Sequence, residues 1–481
     1  MPIEWKKLTF IPLILAFFFV GAALDNTVVD LVMMLFFAGY ALVKPKNALI
    51  VLFMYFPIRP FLLEYNTALK GIGDIIVFAL LFRILWMYRK DLKKLFHFYW
   101  FELAFIGFII VGAVSALITG VTPTAIIFQI RGFVLFYLVF YIAKRLEITK
   151  EDVYKFVATT IFVTVIICIH GLIEKLSLRG WLLPQSWQDM PLSSKNRIRI
   201  YGMIGNPNIL AYYLSFSFAI ILYYRNWFKG KYQWLFYVIL ALTFSVWALT
   251  YSRGTWIAVG VALLAYVLVT KSWKFLKTLA LTLAAGIVLI AVPVSYATSF
   301  IEDSNFGQEK KAKQSVYDDS EGSFRDRIGS TFDKETREQS GQSGRIWIVK
   351  QGFEIFLDHP VIGTGFATYG DGATLSYGSP IYDDYGIERE FYSDNQYIQI
   401  ITGTGIVGVI LFAVFLLNML YEIWKRRKET ILAPFLFAVL LAAFAAGMVY
   451  NIWEGDSFTI FYFALLGFLL NMRPDHEPDL H

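Results

Sequence analysis

Apolar positions fill this chain in long runs separated by short polar joints. The pattern lapses for any length only once, between about Tyr296 and Asn395. Runs of about 17–25 residues suffice to cross a hydrocarbon core of roughly 30 Å. They lie near 8–24, 28–43, 47–63, 71–87, 101–119, 125–143 and 153–173 in the first half, and near 206–223, 233–250, 254–270, 278–297, 396–421, 431–450 and 456–472 after it. Lipid offers backbone groups no hydrogen-bond partners, so such runs are predicted to be helices. The expected fold is all-α: a polytopic integral membrane protein with about 12–14 transmembrane helices and one large loop between late helices. It divides into N-terminal helices with a basic loop at 174–205 (1–205), central helices (206–297), the large loop (298–395), and C-terminal helices with a polar tail (396–481).

The two halves of the large loop differ. Segment 302–343 alternates in charge and is rich in Ser, Gly and Gln, which reads as a solvated, flexible stretch. Segment 344–395 carries aromatics and turn glycines, and Arg345, Trp347, Ile348, Phe353, Phe356 and Leu357 are spaced for an amphipathic helix lying on a membrane face. Asp358-His359-Pro360 ends that helix, and Gly363 and Gly365 permit a tight turn.

Composition excludes a soluble protein: 57% of residues are hydrophobic, 18% aromatic, and mean hydropathy is +0.56. Charge sets the expected orientation. Lys6-Lys7, Arg89-Lys90, Lys93-Lys94, Lys144-Arg145, Arg225 to Lys231, Lys271 to Lys277 and Lys425 to Lys428 fall on one side if the runs alternate. That side is expected to be the cytoplasm, with both termini on it. Loops 174–205 and 298–395 then face outward. The first holds Lys175, Arg179, Lys195, Arg197 and Arg199, which either meet an anionic partner or are tolerated because other loops fix the topology. Cys168 is alone in a run, and the five histidines (97, 170, 359, 476, 481) show no metal-ligand spacing, so no disulfide, metal or cofactor is expected.

Ionisable residues at membrane depth are candidates for function. Arg131 interrupts a run; Arg253 follows Ser252 in a joint between two runs. A guanidinium beside a helix N-terminus suits phosphate, although an arginine at an interface also snorkels. In Gly205-Asn206-Pro207-Asn208, Asn206 is placed to cap the next helix, with Asn208 and Tyr212 one turn apart on one face. Arg345 opens its amphipathic helix, where a cation is unwelcome without an anionic partner. Ser393-Asp394-Asn395-Gln396-Tyr397 meets the next run, so Asp394 is either a cap or a general base. Gly403, Gly405 and Gly408 read as close helix packing.

The order of these motifs, from Gly-Asn-Pro-Asn through Ser-Arg-Gly, Gly-Arg-x-Trp and Pro-x-x-Gly-x-Gly to Asn-x-Tyr with its trailing glycines, resembles the O-antigen ligase and polymerase superfamily over about 200–420. Within it, the chain looks most like the teichuronic acid and exopolysaccharide branch. The resemblance implies a metal-independent, inverting glycosyltransferase of the C-type fold in the bacterial cytoplasmic membrane. Its donor would be a glycan on undecaprenyl diphosphate at the extracytoplasmic face, and its acceptor another glycan or envelope component, with no nucleic acid involved. Arg253, Arg345 and Asp394 would be catalytic, the arginines holding diphosphate and Asp394 standing where ligases usually have a histidine base; this departure favours polymerase over ligase. Arg131, Asn206, Asn208, Tyr212, Ser252, Trp347, Asn395 and Tyr397 would contact substrate. The rival reading is a lipid-glycan flippase without bond chemistry. Against it, the charged positions cluster towards one face and no two-half repeat is present.

Overall fold

The structure, a computed structural model, describes residues 7–225, 230, 233–308, 344–430 and 432–471. Most of the stretch expected to be flexible, and the C-terminal tail with His476 and His481, lie outside the described residues. Every apolar run falls on a helix: α1 (Phe10–Leu24), α2 (Thr27–Val43), α3 (Pro45–Leu63), α4 (Ile72–Met87), α5 (Trp100–Ile118), α6 (Pro123–Ala143), α7 (Lys150–Leu176), α8 (Pro207–Tyr223), α9 (Gln233–Leu249), α10 (Arg253–Thr270) and α11 (Leu276–Glu302, through a π-turn at Ile287–Ala291). After the large loop's helix α12 (Arg345–Asp358) come α13 (Gln396–Lys425), α14 (Leu432–Ala446) and α15 (Asp456–Asn471). Among the described residues, 7 helices are long and apolar enough to cross a membrane: α3, α5, α6, α7, α10, α11 and α13. Shorter apolar helices of 10–17 residues (α1, α2, α8, α9, α14 and α15) lie among them.

Side chains at the helix ends sort the bundle into two faces. At one end, Lys7 pairs with Glu151 at 3.0 Å, Lys46 with Asp152 at 3.0 Å and buried Lys144 with Glu102, while Asn471 donates to the Leu146 carbonyl at 2.8 Å. Arg145 binds the carbonyls of Lys94 and Leu95, and Arg426 that of Leu469. Lys7, Lys144, Arg145 and Arg426, expected on a common side, therefore do lie at one end. At the opposite end Asn66 binds Asp30 at 2.7 Å, Arg59 pairs with Asp456 at 2.9 Å and Arg131 with Asp74 at 2.8 Å.

Aromatic rings fill the middle. Phe136 stacks on Phe463 with centroids 4.4 Å apart, Phe105 lies 5.0 Å from Phe415, and Phe415 lies 6.3 Å from Trp453. Lipid tails are as apolar as these rings, so what draws α5, α6, α13 and α15 together is close packing and ring geometry, about 0.5–1.5 kcal/mol per pair beyond burial.

Helix α13 is broken inside. Gly405 has φ 58° and ψ −163°, and the backbone freed there pairs with the segment that follows α12. Thr364 N donates to Thr402 O at 3.0 Å and Gly365 N to Gly403 O at 2.7 Å; in return Ile406 N and Val407 N donate to Pro360 O and Val361 O. Phe366 N reaches Gly112 O at 3.1 Å on α5, and Ser115 Oγ reaches Gly363 O at 2.6 Å. Irregular backbone is tolerated at such depth only when buried in protein, and here nearly every polar group has a partner. Gly403 and Gly405 thus serve backbone pairing with an inserted segment, a closer approach than the helix packing expected of them. Gly365 has φ +97°, and a Cβ on it would overlap the backbone of Ala116. Gly365→Ala is therefore expected to cost more than the usual ~1–3 kcal/mol of overpacking, visible as a large drop in thermal unfolding midpoint in detergent.

Candidate functional site

Four segments converge at the end opposite the basic face, and Tyr450 is the residue they share. Asn206 caps α8 as expected: its side chain accepts Asn208 N at 2.9 Å and Ile209 N at 3.2 Å, with Pro207 in the first turn. That cap leaves the Asn208 side chain free to accept from Ser252 Oγ at 3.1 Å and from the Arg199 guanidinium, which also binds Thr250 O at 2.7 Å. Ser252 Oγ in turn lies 3.1 Å from the Tyr450 hydroxyl, and Gly254 lies so close to the same ring that no Cβ fits. Arg253 sits between those two contacts at the N-terminus of α10. Tyr212 meets the Tyr450 ring edge-on at 5.3 Å.

Arg345 approaches from the other side. Its guanidinium lies 5.9 Å from the Tyr450 ring centroid and donates Nε to Asp394 Oδ2 at 2.8 Å, with Nη2 also 2.8 Å from that oxygen. Burial works against its charge, but Asp394 and Tyr450 outweigh burial and hold the proton more firmly than usual. The anionic partner demanded by a cation in the first turn of α12 is thus Asp394. The pair is 52% and 31% exposed, so by itself it contributes only about 0–1 kcal/mol and is cheap to exchange for another anion. The capping role falls to Asn395, whose side chain accepts Tyr397 N and Ile398 N, each at 3.1 Å.

The structure therefore brings Asn208, Tyr212, Ser252, Arg253, Arg345 and Asp394 together. Other candidates have separate tasks. Arg131 makes a two-pronged pair with Asp74 on α4, 2.8 Å at each prong. Trp347 packs edge-on against Phe391 under the loop, 5.5 Å between centroids, and the Tyr397 hydroxyl binds Phe444 O at 2.7 Å. Sequence reasoning named Arg199 only among the basic residues of its loop, and missed Tyr450 and Asn451. The signal available was the polar run Tyr450-Asn451-Ile452-Trp453-Glu454 wedged between two apolar helices.

Loop 177–206 is held by buried Glu174. It pairs with Arg179 and accepts Tyr201 N at 3.0 Å and Gly202 N at 2.7 Å; Arg179 also donates to Trp187 O, and Lys175 to Ile198 O. Three of the loop's basic residues, Lys175, Arg179 and Arg199, are thus bound within the protein, while the Lys195 side chain lies outside the described residues.

Two further features mark this end. Buried polar atoms without a protein partner cluster here: Tyr212 Oη, Asp394 Oδ1, Gln399 Nε2, Asn451 Oδ1 and Trp453 Nε1. Such atoms are rare in folded interiors and point to something that binds. Below Tyr212 and Ile452 an apolar cavity of about 330 Å³ runs between α8, α10 and α14, past Phe216, Ala262 and Tyr266, towards Arg225 and Ser272.

Glu174→Ala would leave Arg179 charged and buried without its partner, a change that commonly costs ~3–5 kcal/mol. The expected result is a lowered unfolding midpoint with new proteolytic cleavage within 177–206.

No curated protein matches the chain. Residues 238–413, which hold Ser252, Arg253, Arg345 and Asp394 but neither Asn208 nor Tyr450, match the model of a family described as O-Antigen ligase. That match supports, in general terms, a membrane-embedded enzyme of the O-antigen ligase and polymerase superfamily that acts on glycan chains.

Proposed function

We propose that this protein is an inverting, metal-independent glycosyltransferase of the C-type architecture that takes a glycan from undecaprenyl diphosphate and joins it to another glycan, acting as a polymerase more than as a ligase. The teichuronic acid and exopolysaccharide branch is the setting this reading favours. The basic end would face the cytoplasm, together with both termini, and the Tyr450 end the outside. The observation that carries the reading is the junction of two features. The N-terminus of α10 at Arg253 and the Arg345 guanidinium both lie against Tyr450, next to an apolar cavity lined by Tyr212 and Ile452, and that combination suits an amphiphile with an anionic head and a long hydrocarbon tail.

The chemistry follows from charge. When an acceptor hydroxyl attacks the anomeric carbon, the bond to diphosphate breaks and negative charge develops on the leaving oxygen. Fixed guanidinium groups stabilise that charge without reorganising. Diphosphate would accept from Arg345 N–H groups that Asp394 leaves available, with Asp394 still holding Nε. Asn208 and Ser252 would orient the α10 N-terminus, whose backbone N–H groups add to anion binding. The polyprenyl tail would lie along Tyr212 and Phe216 in the cavity.

The test uses purified protein in lipid with a polyprenyl-diphosphate oligosaccharide, following glycan length and released polyprenyl diphosphate. Arg253→Ala and Arg345→Ala are each expected to lower turnover by roughly 10²–10³-fold, the usual effect of removing one charge-stabilising donor. Longer glycans without added acceptor identify a polymerase, and transfer only to an added envelope glycan a ligase. Absence of turnover with lipid-linked glycan still crossing the bilayer would overturn the proposal in favour of a transporter.

A further inference from the structure

Asp394 is committed to Arg345 through Oδ2, which leaves open what receives the proton of the acceptor hydroxyl. A second carboxyl group lies nearby. Glu454 ends the turn Ile452–Glu454 between α14 and α15 and is half-buried. Gln396, fully buried at the start of α13, donates Nε2 to Glu454 Oε1 at 3.3 Å and to Gln399 Oε1 at 2.9 Å, while its own Oε1 accepts Trp453 N at 3.2 Å. Gln399 is only 8% exposed, yet its Nε2 has no protein partner. A buried amide donor without a partner, one residue removed from a carboxylate, is what a site for a hydroxyl-rich ligand requires.

The surroundings separate Glu454 from the arginines. On α6, Gln129 also hydrogen-bonds the Glu454 carboxyl, and Arg131, two residues further, is held by Asp74 of α4. On α15, Asp456 is held by Arg59 of α3. In the large loop, Asp371 is locked as a cap that accepts Ala367 N, Ala373 N and Thr374 N. Tyr392 feels the charges of Glu454, Asp394 and Asp371 together, and its hydroxyl accepts from Asn451 Nδ2 at 3.2 Å. Asn451, whose carbonyl accepts Glu454 N at 3.2 Å and whose Nδ2 donates to Ser393 O at 2.7 Å, therefore ties the turn that carries Glu454 to the residue before Asp394. Burial first, and the charge of Asp371 second, push the Glu454 carboxyl up to about 7, while hydrogen bonds from Gln129 and Gln396 pull the other way. A carboxylate poised near working pH is suited to general-base work.

We infer that Glu454, with Gln396 and Gln399 behind it, receives the acceptor glycan's attacking hydroxyl and takes its proton; this rests on the transferase reading above. In the step, a lone pair of the hydroxyl oxygen forms the bond to the anomeric carbon. The bond from that carbon to the diphosphate oxygen breaks with its electrons staying on diphosphate, and the hydroxyl proton passes to Glu454. Gln399 Nε2 donates to a neighbouring oxygen of the acceptor sugar. Asp394 acts as a positioning residue that aims Arg345.

The experiment follows kcat from about pH 5 to about pH 9 in the lipid-reconstituted full chain, with polyprenyl-diphosphate oligosaccharide as donor and acceptor, for wild type, Glu454→Gln, Glu454→Asp and Asp394→Asn. Only the ionised base works, so wild-type kcat should fall about tenfold per unit on the acid side of a midpoint near 7. Glu454→Gln should lose roughly 10²–10⁴-fold in kcat, flatten that limb and still bind polyprenyl diphosphate. Glu454→Asp should restore part of the rate and keep an acid limb. Asp394→Asn should raise donor KM and leave the limb in place. An intact acid limb in Glu454→Gln, or its loss in Asp394→Asn, overturns the assignment. Should Glu454→Gln fail to bind polyprenyl diphosphate, the aspartate variant decides: a displaced limb supports the assignment and an unmoved one overturns it. A wild type that releases no polyprenyl diphosphate defeats the transferase reading itself.

Discussion

A backbone exchange between two broken segments organises the functional end of this protein. In lipid, an unpaired amide or carbonyl costs several kcal/mol, so a helix cannot simply be interrupted. Helix α13 is interrupted at Gly405, and the segment Pro360 to Phe366 supplies the missing partners on both sides of the break. The same segment bonds α5 at Gly112 and Ser115. The large loop is thereby anchored in the bundle, and its remaining length is set by two fixed points, α12 and the start of α13. Arg345 and Asp394 lie at those points. Their pairing is a result of the anchor more than a cause of it, since an exposed ion pair is too weak to order a loop.

Polar contacts at the other segments follow a similar economy. Asn206 closes the N-terminus of α8 and Asn395 that of α13, each accepting backbone N–H groups. Because those caps are filled by asparagine, the neighbouring Asn208 and Asp394 side chains remain available for contacts across the site. Tyr450 then links chains that are far apart in sequence: it touches Ser252, Gly254, Tyr212 and Arg345 from the joint between α14 and α15. An aromatic ring with a hydroxyl suits that task, with an apolar body for Tyr212 and Gly254 and a polar tip for Ser252.

The helices were legible in the sequence because lipid makes hydropathy a strong constraint: each apolar run corresponds to a helix, and the grouping of Lys7, Lys144, Arg145 and Arg426 at one end follows from alternation. The Asn206 cap was readable from local chemistry alone, as was the need of Arg345 for an anion. What sequence could not supply was long-range pairing. Gly403 and Gly405 carry the same letters whether they pack against a helix or lie beside an inserted irregular segment. The sequence left open whether the basic loop meets an anionic partner, and gave no sign that Glu174 holds Arg179 inside the fold. Tyr450 and Glu454 gave no motif, since their roles depend on residues more than fifty positions away.

The placement of Tyr450 also has a consequence for how the protein is made. Ribosomes deliver chains from the N-terminus, and helices enter the membrane in that order. Arg253 and Arg345 are laid down well before the turn that carries Tyr450, Asn451 and Glu454. The site thus has no complete wall until that turn has been made. A chain that stops short of the turn would present arginines without the tyrosine between them.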